Sequence, residues 1–486
     1  MTNFSELITK IPGQLMVALV LGFCFWGFVP NGNEEHYLLL AKSFYNPAWL
    51  NIESEFPGTR IIFQWMVGPV VNYWGFEWTT AIIRLLLIFG FGYILSKFYK
   101  TLEFGNYQIL LHLAVLFLGH QSFFAGSAAL LGVETKSFAY ILVFLSFYLV
   151  FIKSYYWLAF SLILATYFHF LVGMYSSFYI FFTLLIVQKD KRTVIIKSGF
   201  IYILLILPFV FYLLQATQIP SSNQHPSASW IYTYFRHPHH TALFQDVKYF
   251  YQNHFYGILF AAIGAYFLQL CGEQREWKWE FIRKFSLVSL AYTLALVPLS
   301  FFDKEGIYLK YYPYRINTLS TFMLGVFVIH WIYQNLTLSV DSLKVLNKSV
   351  LALSMVFIFK MSLENMVITS RYLSADKAHL YSFIKKETPK DAVVMNMTSD
   401  QSFMRRAERK SFVEYKFVPA ELSKINDWYD KVIYQNEVEV NPDKLLNNTL
   451  EVDYLVSERT MPNSDRINLV FENQSFFVYK IKKNSQ

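Results

Sequence analysis

Eleven apolar stretches with few or no charges dominate this chain, at about residues 13–29, 78–95, 107–118, 138–152, 157–167, 171–187, 194–214, 255–270, 285–301, 318–333 and 350–368. A helix needs roughly 20 such residues to cross a bilayer, where every backbone polar group must be satisfied within the segment. Runs of this kind leave little choice of fold class. The expectation is a mainly α polytopic transmembrane helix bundle of about eleven spans, several of them short or separated only by a brief polar break such as His169.

Composition agrees. Charged residues make up 16% of the 486 positions and apolar residues 55%, against about a quarter charged in ordinary soluble domains. Aromatics reach 19%, with 49 Phe and 34 Tyr, rings suited to hydrocarbon and to the headgroup level. The net charge of +8 lies mostly in short connections between apolar runs, which points to topology and membrane-lipid contact and not to nucleic acid. No Gly-rich phosphate loop, zinc-ligand spacing or RNA-binding signature is present. The two cysteines, Cys24 and Cys271, belong to apolar runs and imply no disulfide framework. The run 13–29 has no small-residue cleavage site and reads as an uncleaved first span.

Orientation follows from the cations. Lys97 and Lys100, Lys153, the Lys189/Lys191/Arg192/Lys197 cluster, Arg275/Lys278/Arg283/Lys284 and Lys344/Lys348 fall on alternate connections, which the positive-inside rule assigns to the cytoplasm together with the N-terminus. An odd number of spans then places the C-terminal part outside, in the periplasm of a bacterial inner membrane. Three outside connections are longer than a turn requires, at about 31–76, 216–254 and 302–317; long loops on one face of a rigid scaffold are where sites are built. The first holds an amphipathic surface helix over 34–44, then Pro57-Gly58 and a semi-apolar stretch over 61–74.

Past residue 368 the composition turns polar. Residues 377–386 predict a helix, 392–395 and 454–456 short strands, and 469–481 a hairpin around Glu472-Asn473. The division expected is a transmembrane domain over 1–368 and a small α/β domain over 369–486.

Chemistry-bearing residues gather on the outside connections. Asn33-Glu34-Glu35-His36-Tyr37 puts two adjacent carboxylates at a membrane surface, where they would hold a cation, a sugar or a proton. They diverge by about 100° on a helix, so at most one enters a given pocket; the plainer alternative is that they complement the helix dipole. Arg60 lies on the same connection. Glu134-Thr135-Lys136 opens a span, as an acceptor contact or as a local ion pair with an interfacial anchor. His169, between Phe168 and Phe170, is a ligand or a hydrogen-bonded helix break. Arg236-His237-Pro238-His239-His240 suits anion recognition better than structural zinc, because Pro238 keeps the histidines off one helical face. Lys310, Tyr312 and Arg315, in the string Lys-Tyr-Tyr-Pro-Tyr-Arg, suit a lipid phosphate or an aromatic belt with a snorkelling cation.

An apolar first span, then an acidic motif heading an amphipathic helix with Tyr37, then a multi-span bundle and an outside domain resembles the C-type (GT-C) glycosyltransferases. Their first outside loop typically reads Asp-Glu-x-x-Tyr or Asp-Glu-Pro-His-Tyr, with the leading Asp as catalytic base. Aligned on His36 and Tyr37, that Asp falls on Asn33, which cannot accept a proton; the catalytic role passes to Glu34 or Glu35, with Glu34 preferred and Glu35→Gln expected to be mild. The resemblance implies a polyprenyl-phosphate or polyprenyl-diphosphate sugar donor, a glycan, lipid or protein acceptor, and transfer with inversion. It also implies substrate-binding roles for Asn33, His36, Tyr37, Arg60, Glu134, Lys136, His169, Arg236, His237, His239, His240, Lys310, Tyr312 and Arg315. No metal ligand is assigned, and a divalent cation, Mg2+ or Mn2+, stays an open cofactor. Two other readings share the layout: a polysaccharide polymerase or ligase, and a transporter or flippase of lipid-linked glycans. Transporters favour ionisable residues at mid-membrane and repeated halves, whereas here such residues collect at one face.

Overall fold

The structure, a computed structural model, describes residues 8–50, 60–129, 132–216, 226–335, 340–419, 424–447, 452–462 and 464–482; Pro57-Gly58 lies outside them. Among the described residues six helices are long and apolar enough to cross a membrane: Ile61–Thr101, Phe170–Val187, Lys189–Gln215, Trp277–Phe302, Leu309–Asn335 and Asp341–Tyr372. Shorter apolar helices are Gly13–Phe25, Asn106–Leu118, Thr135–Phe151 and Tyr155–Phe168, with Tyr256–Leu270 alongside them. At about 1.5 Å per residue the short ones fall below the roughly 30 Å of a hydrocarbon core. The protein is therefore a multi-pass helical membrane protein with six full-length candidates and further short apolar helices.

The helices divide between two compact units, Met1–Gly27 with Ala81–Leu213 and Tyr232–Asn365, and Phe28–Thr80 with Leu214–Ile231 and Met366–Gln486. The first unit is a helix bundle in which Thr135–Phe151 packs on Tyr155–Phe168, and Trp277–Ala295 packs on both Phe170–Val187 and Asn317–Asn335. Its interior is built from rings: Phe98, Phe144, Phe147, Phe281, Phe285 and Phe322 are all fully buried. A buried polar bridge crosses it, with His112 meeting the Tyr99 hydroxyl at 2.6 Å and the Phe322 carbonyl at 3.0 Å. The helix Arg192–Ala216, by contrast, exposes Phe200, Ile203, Leu204, Phe211 and Leu214, a surface that only lipid or a partner can cover. Where the chain turns at His169, Gly173 lets the next helix close on the last; a Cβ there would lie 2.3 Å from the Thr166 backbone.

In the second unit the stretch 61–74 is helical and not loop. It runs into the first long span through Gly75, whose φ of 75° breaks the helix in a conformation that glycine adopts without a Cβ penalty. Residues 32–45 form the amphipathic helix Gly32–Tyr45. The C-terminal part carries a five-stranded sheet of order β2-β1-β3-β5-β4, with β1 Val393–Asn396, β2 Lys410–Ser411, β3 Tyr454–Ser457, β4 Ile467–Glu472 and β5 Phe477–Ile481. β1 pairs parallel with β2 and β3, and the hairpin β4–β5 adds on antiparallel. Parallel neighbours need crossovers, and these contain the helices Phe403–Ala407 and Ile425–Val440. Met395, Val438, Leu455 and Tyr479 close one core of this domain. The helix Ala375–Glu387 and strands β1, β3, β4 and β5 stand where the sequence placed them; the helix Ile425–Val440 was not foreseen.

Candidate active site

Asn31 starts the acidic helix. Its side chain accepts from the backbone N–H of Asn33 and Glu34, both at 3.1 Å, while its own N–H donates to Glu34 Oε2 at 2.7 Å. This reciprocal capping box satisfies three of the helix's orphan donors and fixes the rotamer of Glu34. Glu34 and Glu35 are both buried, and the divergence expected on a helix separates their partners. Glu35 takes a two-pronged grip from the Arg405 guanidinium, Nε to Oε2 at 2.7 Å and Nη2 to Oε1 at 2.6 Å.

Arg405 also donates to Glu77 Oε1 at 2.8 Å and to the Tyr372 hydroxyl, and Tyr372 in turn donates to Glu77 at 2.8 Å. The guanidinium carbon lies 4.8 Å from the centre of the Phe76 ring. Burial pushes the Glu35 carboxyl above its ordinary range and the Arg405 charge pulls against that rise, while the acids around Arg405 hold its guanidinium firmly protonated. The expectation that Glu35→Gln is mild does not fit this pairing, since breaking a buried ion pair typically costs about 3–5 kcal/mol.

The neighbouring residues of the motif are held too. Arg60 donates to His36 Nε2 at 3.1 Å, which puts the imidazole proton on Nδ1, and stacks 4.5 Å from the Tyr37 ring centre. His36 packs on Phe417 at 4.2 Å, and Lys416 donates to Asn33 Oδ1 at 2.9 Å. Asn33, Glu34, Glu35, His36, Tyr37 and Arg60 thus form one connected group.

A second group lies in the helix bundle. Tyr312, in a left-handed conformation at φ 53°, anchors it. Tyr312 donates to the Tyr232 hydroxyl at 3.3 Å, and the rings of His237 and His240 lie 5.6 and 6.0 Å from its own. Arg315 stacks on the same ring at 4.8 Å and donates to Ser127 Oγ at 3.3 Å. His237 Nδ1 donates to the Tyr232 carbonyl at 3.3 Å, and His239 rests on His240 with ring centres 4.1 Å apart. Burial, together with the charges of Arg236 and Arg315, drives the His237 imidazole well below its ordinary range; burial with Arg315 and Lys136 does the same to His240. Both rings are therefore neutral, each with one nitrogen to donate and one to accept. Glu134 and Lys136 are buried and paired at 3.0 Å. The group has cationic and neutral polar donors in excess over acids, a composition suited to a phosphate ester.

His169 Nδ1 accepts from the Val172 N–H at 3.4 Å as the cap of the helix Phe170–Val187, and Lys310 lies 5.4 Å from the Tyr311 ring centre. Among the described residues no group of three or more His, Cys, Asp or Glu is placed to hold a metal ion. The residues that sequence reasoning passed over are Arg405, Glu77 and Tyr372, with Tyr232 and Ser127 in the bundle. Only Arg405 left a trace, in the adjacent arginines of Phe403-Met404-Arg405-Arg406-Ala407.

A crystal structure of ArnT from Cupriavidus metallidurans bound to undecaprenyl phosphate superimposes with a TM-score of 0.51, covering 98% of this chain and 98% of that one at 12% identity. The chain therefore shares the fold of that structure over 98% of its length. A family model described as a domain of unknown function (DUF6798) matches residues 375–433, the segment that carries Arg405. No curated protein matches the sequence.

Proposed function

We propose that this protein is a GT-C-type glycosyltransferase that moves a sugar from a polyprenyl-phosphate or polyprenyl-diphosphate carrier to an acceptor hydroxyl at the outer face of a bacterial inner membrane, with inversion. The observation that carries the reading is the gathering of Arg315, His237 and His240 around Tyr312, with the Lys136 charge acting on His240, in a chain whose fold is shared with an undecaprenyl-phosphate-bound protein. The N-terminus is assigned to the cytoplasm and the C-terminal domain to the periplasm.

In this reaction the acceptor oxygen bonds to the anomeric carbon as the carbon–oxygen bond to the phosphate breaks. The acceptor proton goes to a carboxylate, and the electron pair leaves with the polyprenyl phosphate. We assign the base to Glu34. Glu35 has both oxygens engaged by the Arg405 guanidinium, whereas Glu34 Oε2 accepts from a neutral backbone N–H. Arg315 and Lys136 are assigned to the charge that grows on the departing phosphate. Tyr312 and the neutral histidines are assigned to donor recognition. No step of this reaction is routed through a divalent cation. A single displacement of this kind inverts the anomeric carbon, unlike the double displacement of a retaining enzyme.

The test is release of undecaprenyl phosphate from a panel of undecaprenyl-phosphate-linked hexoses and pentoses by the protein in lipid nanodiscs. Glu34→Gln is isosteric and cannot take the proton, so turnover is expected to drop by about 10²–10⁴-fold with undecaprenyl phosphate binding unchanged. Full turnover by the variant would remove Glu34 from the mechanism. Movement of the intact donor across the bilayer without its consumption would establish a flippase instead.

A further inference from the structure

The two ends of the sequence meet within one compact unit. Arg405 belongs to the short helix Phe403–Ala407 of the C-terminal domain, and its strongest partner is Glu35, on the first turn of the helix Gly32–Tyr45. Four contacts fix the guanidinium: two to Glu35, one to Glu77 and one to Tyr372. Phe76 covers its face, and the next residue, Arg406, donates to the Tyr372 carbonyl at 2.9 Å while stacking on Tyr372 and Tyr381. The short helix is itself tied down, because Asp400 at its approach accepts from Ser402, from Tyr381 at 2.6 Å and from Lys377 at 2.9 Å.

Glu34 and Glu35 are consecutive, so whatever fixes one fixes the backbone of the other. The capping box alone sets the rotamer of Glu34 relative to its own helix. It says nothing of where that helix stands. Glu35 supplies the missing restraint, through a planar fork that accepts only one relative orientation of carboxylate and guanidinium. Two adjacent buried carboxylates would otherwise repel, and Arg405 neutralises the one that is not assigned to the reaction.

We propose that Arg405 is a positioning residue: acting through Glu35, it holds the acidic first turn so that Glu34 stands in its working place, and the C-terminal domain is thereby part of the catalytic apparatus. The inference rests on the reading of Glu34 as the base. It gives the segment matched by the family of unknown function, 375–433, a specific task.

Two measurements on the full chain in detergent decide it. In hydrogen exchange, Arg405→Lys keeps the charge and loses the fork. Amides of the helix Gly32–Tyr45 should then exchange at least about tenfold faster, while strands β1 and β3 stay as protected as in wild type. Glu77→Gln removes only the side contact and should leave the exchange of that helix close to wild type. In turnover of whichever undecaprenyl-phosphate sugar the wild type consumes, Arg405→Lys should lower kcat by about 10²-fold, the usual penalty for displacing a catalytic group by an ångström, with KM unchanged.

Unchanged exchange in the acidic helix for both Arg405→Lys and Arg405→Ala overturns the proposal. So does an effect confined to KM, or a loss of protection spread equally over the sheet, which would mark a merely structural contact. The exchange arm needs no sugar donor, so it still reads the positioning if the wild type turns over none of the panel. Full activity in Glu34→Gln beside a damaged Arg405→Lys would instead reject the base assignment.

Discussion

Glu414 offers the clearest test of how the C-terminal domain is held together. The residue as a whole is half-buried, but its carboxylate is turned inward, and Oε1 is out of water with no hydrogen-bond partner among the described residues. Burial lifts its pKa from 4.5 to about 7, against the help of Ser411 and Asn396. The folded value lies above the unfolded one, so the contribution to stability is whole below about pH 4.5 and is lost as pH rises through about 7. The distance between those two values sets a ceiling of about 3 kcal/mol, and solvent reaching the half-buried residue trims it to about 2 kcal/mol. Glu414→Gln stays neutral at every pH and should escape the loss. The assay is hydrogen exchange of the slowest amides in β1 and in the helix Ile425–Val440, variant against wild type at matched pH so that intrinsic exchange rates cancel. Near pH 4.5 the two should agree closely; near pH 8 the variant should exchange about thirtyfold more slowly, the equivalent of about 2 kcal/mol. Equal protection at both pH values, or a variant that is weaker at the higher one, would show that the carboxylate is solvated and refute the reasoning.

Reporter fusions after Arg192 and after Lys410 should report opposite faces of the membrane, since Lys and Arg concentrate on alternate connections; the same face for both would sink the assigned orientation. Arg315→Ala removes a stacked guanidinium and should weaken undecaprenyl phosphate binding by roughly 10- to 100-fold, the worth of one hydrogen bond to a charged group, read by titration of the lipid in nanodiscs. An unchanged affinity would take Arg315 out of the phosphate site.

The bundle was legible because hydropathy states it directly: lipid forbids unsatisfied backbone, so apolar run length and helix are nearly the same observation. Span number was less legible. Runs such as Asn106–Leu118 and Tyr155–Phe168 form helices, yet they are short of a full crossing, and run length alone cannot say what completes them. The semi-apolar stretch 61–74 reads in sequence as part of an outside connection; it is helical, and Gly75 takes the break that separates it from the following span. The bundle group around Tyr312 was legible in its members, His237, His239, His240 and Arg315, through unusual local strings of cations and rings. Tyr232 and Ser127 were not, since a single Tyr or Ser in an aromatic membrane chain carries no local signal.

Arg405 shows most clearly what a local reading cannot reach. The sequence presents Glu34 and Glu35 as a choice between a helix-dipole motif and a site; in the structure Glu34 closes the capping box and Glu35 is gripped by Arg405. Favourable interaction with a helix N-terminus is worth about 0.3–1 kcal/mol, while taking a carboxylate out of water costs several. A dipole alone could not keep Glu35 buried beside Glu34, so a cation had to come from somewhere in the chain. That cation lies 370 residues away in sequence, in a domain whose composition suggests only a small soluble fold. The requirement was written in the acidic pair; its answer became visible only when the chain was folded. It follows that the motif and the C-terminal domain are not separable pieces: without residues beyond 366, Glu35 and Glu77 lose the guanidinium they share, and the first turn that presents Glu34 loses its outside restraint.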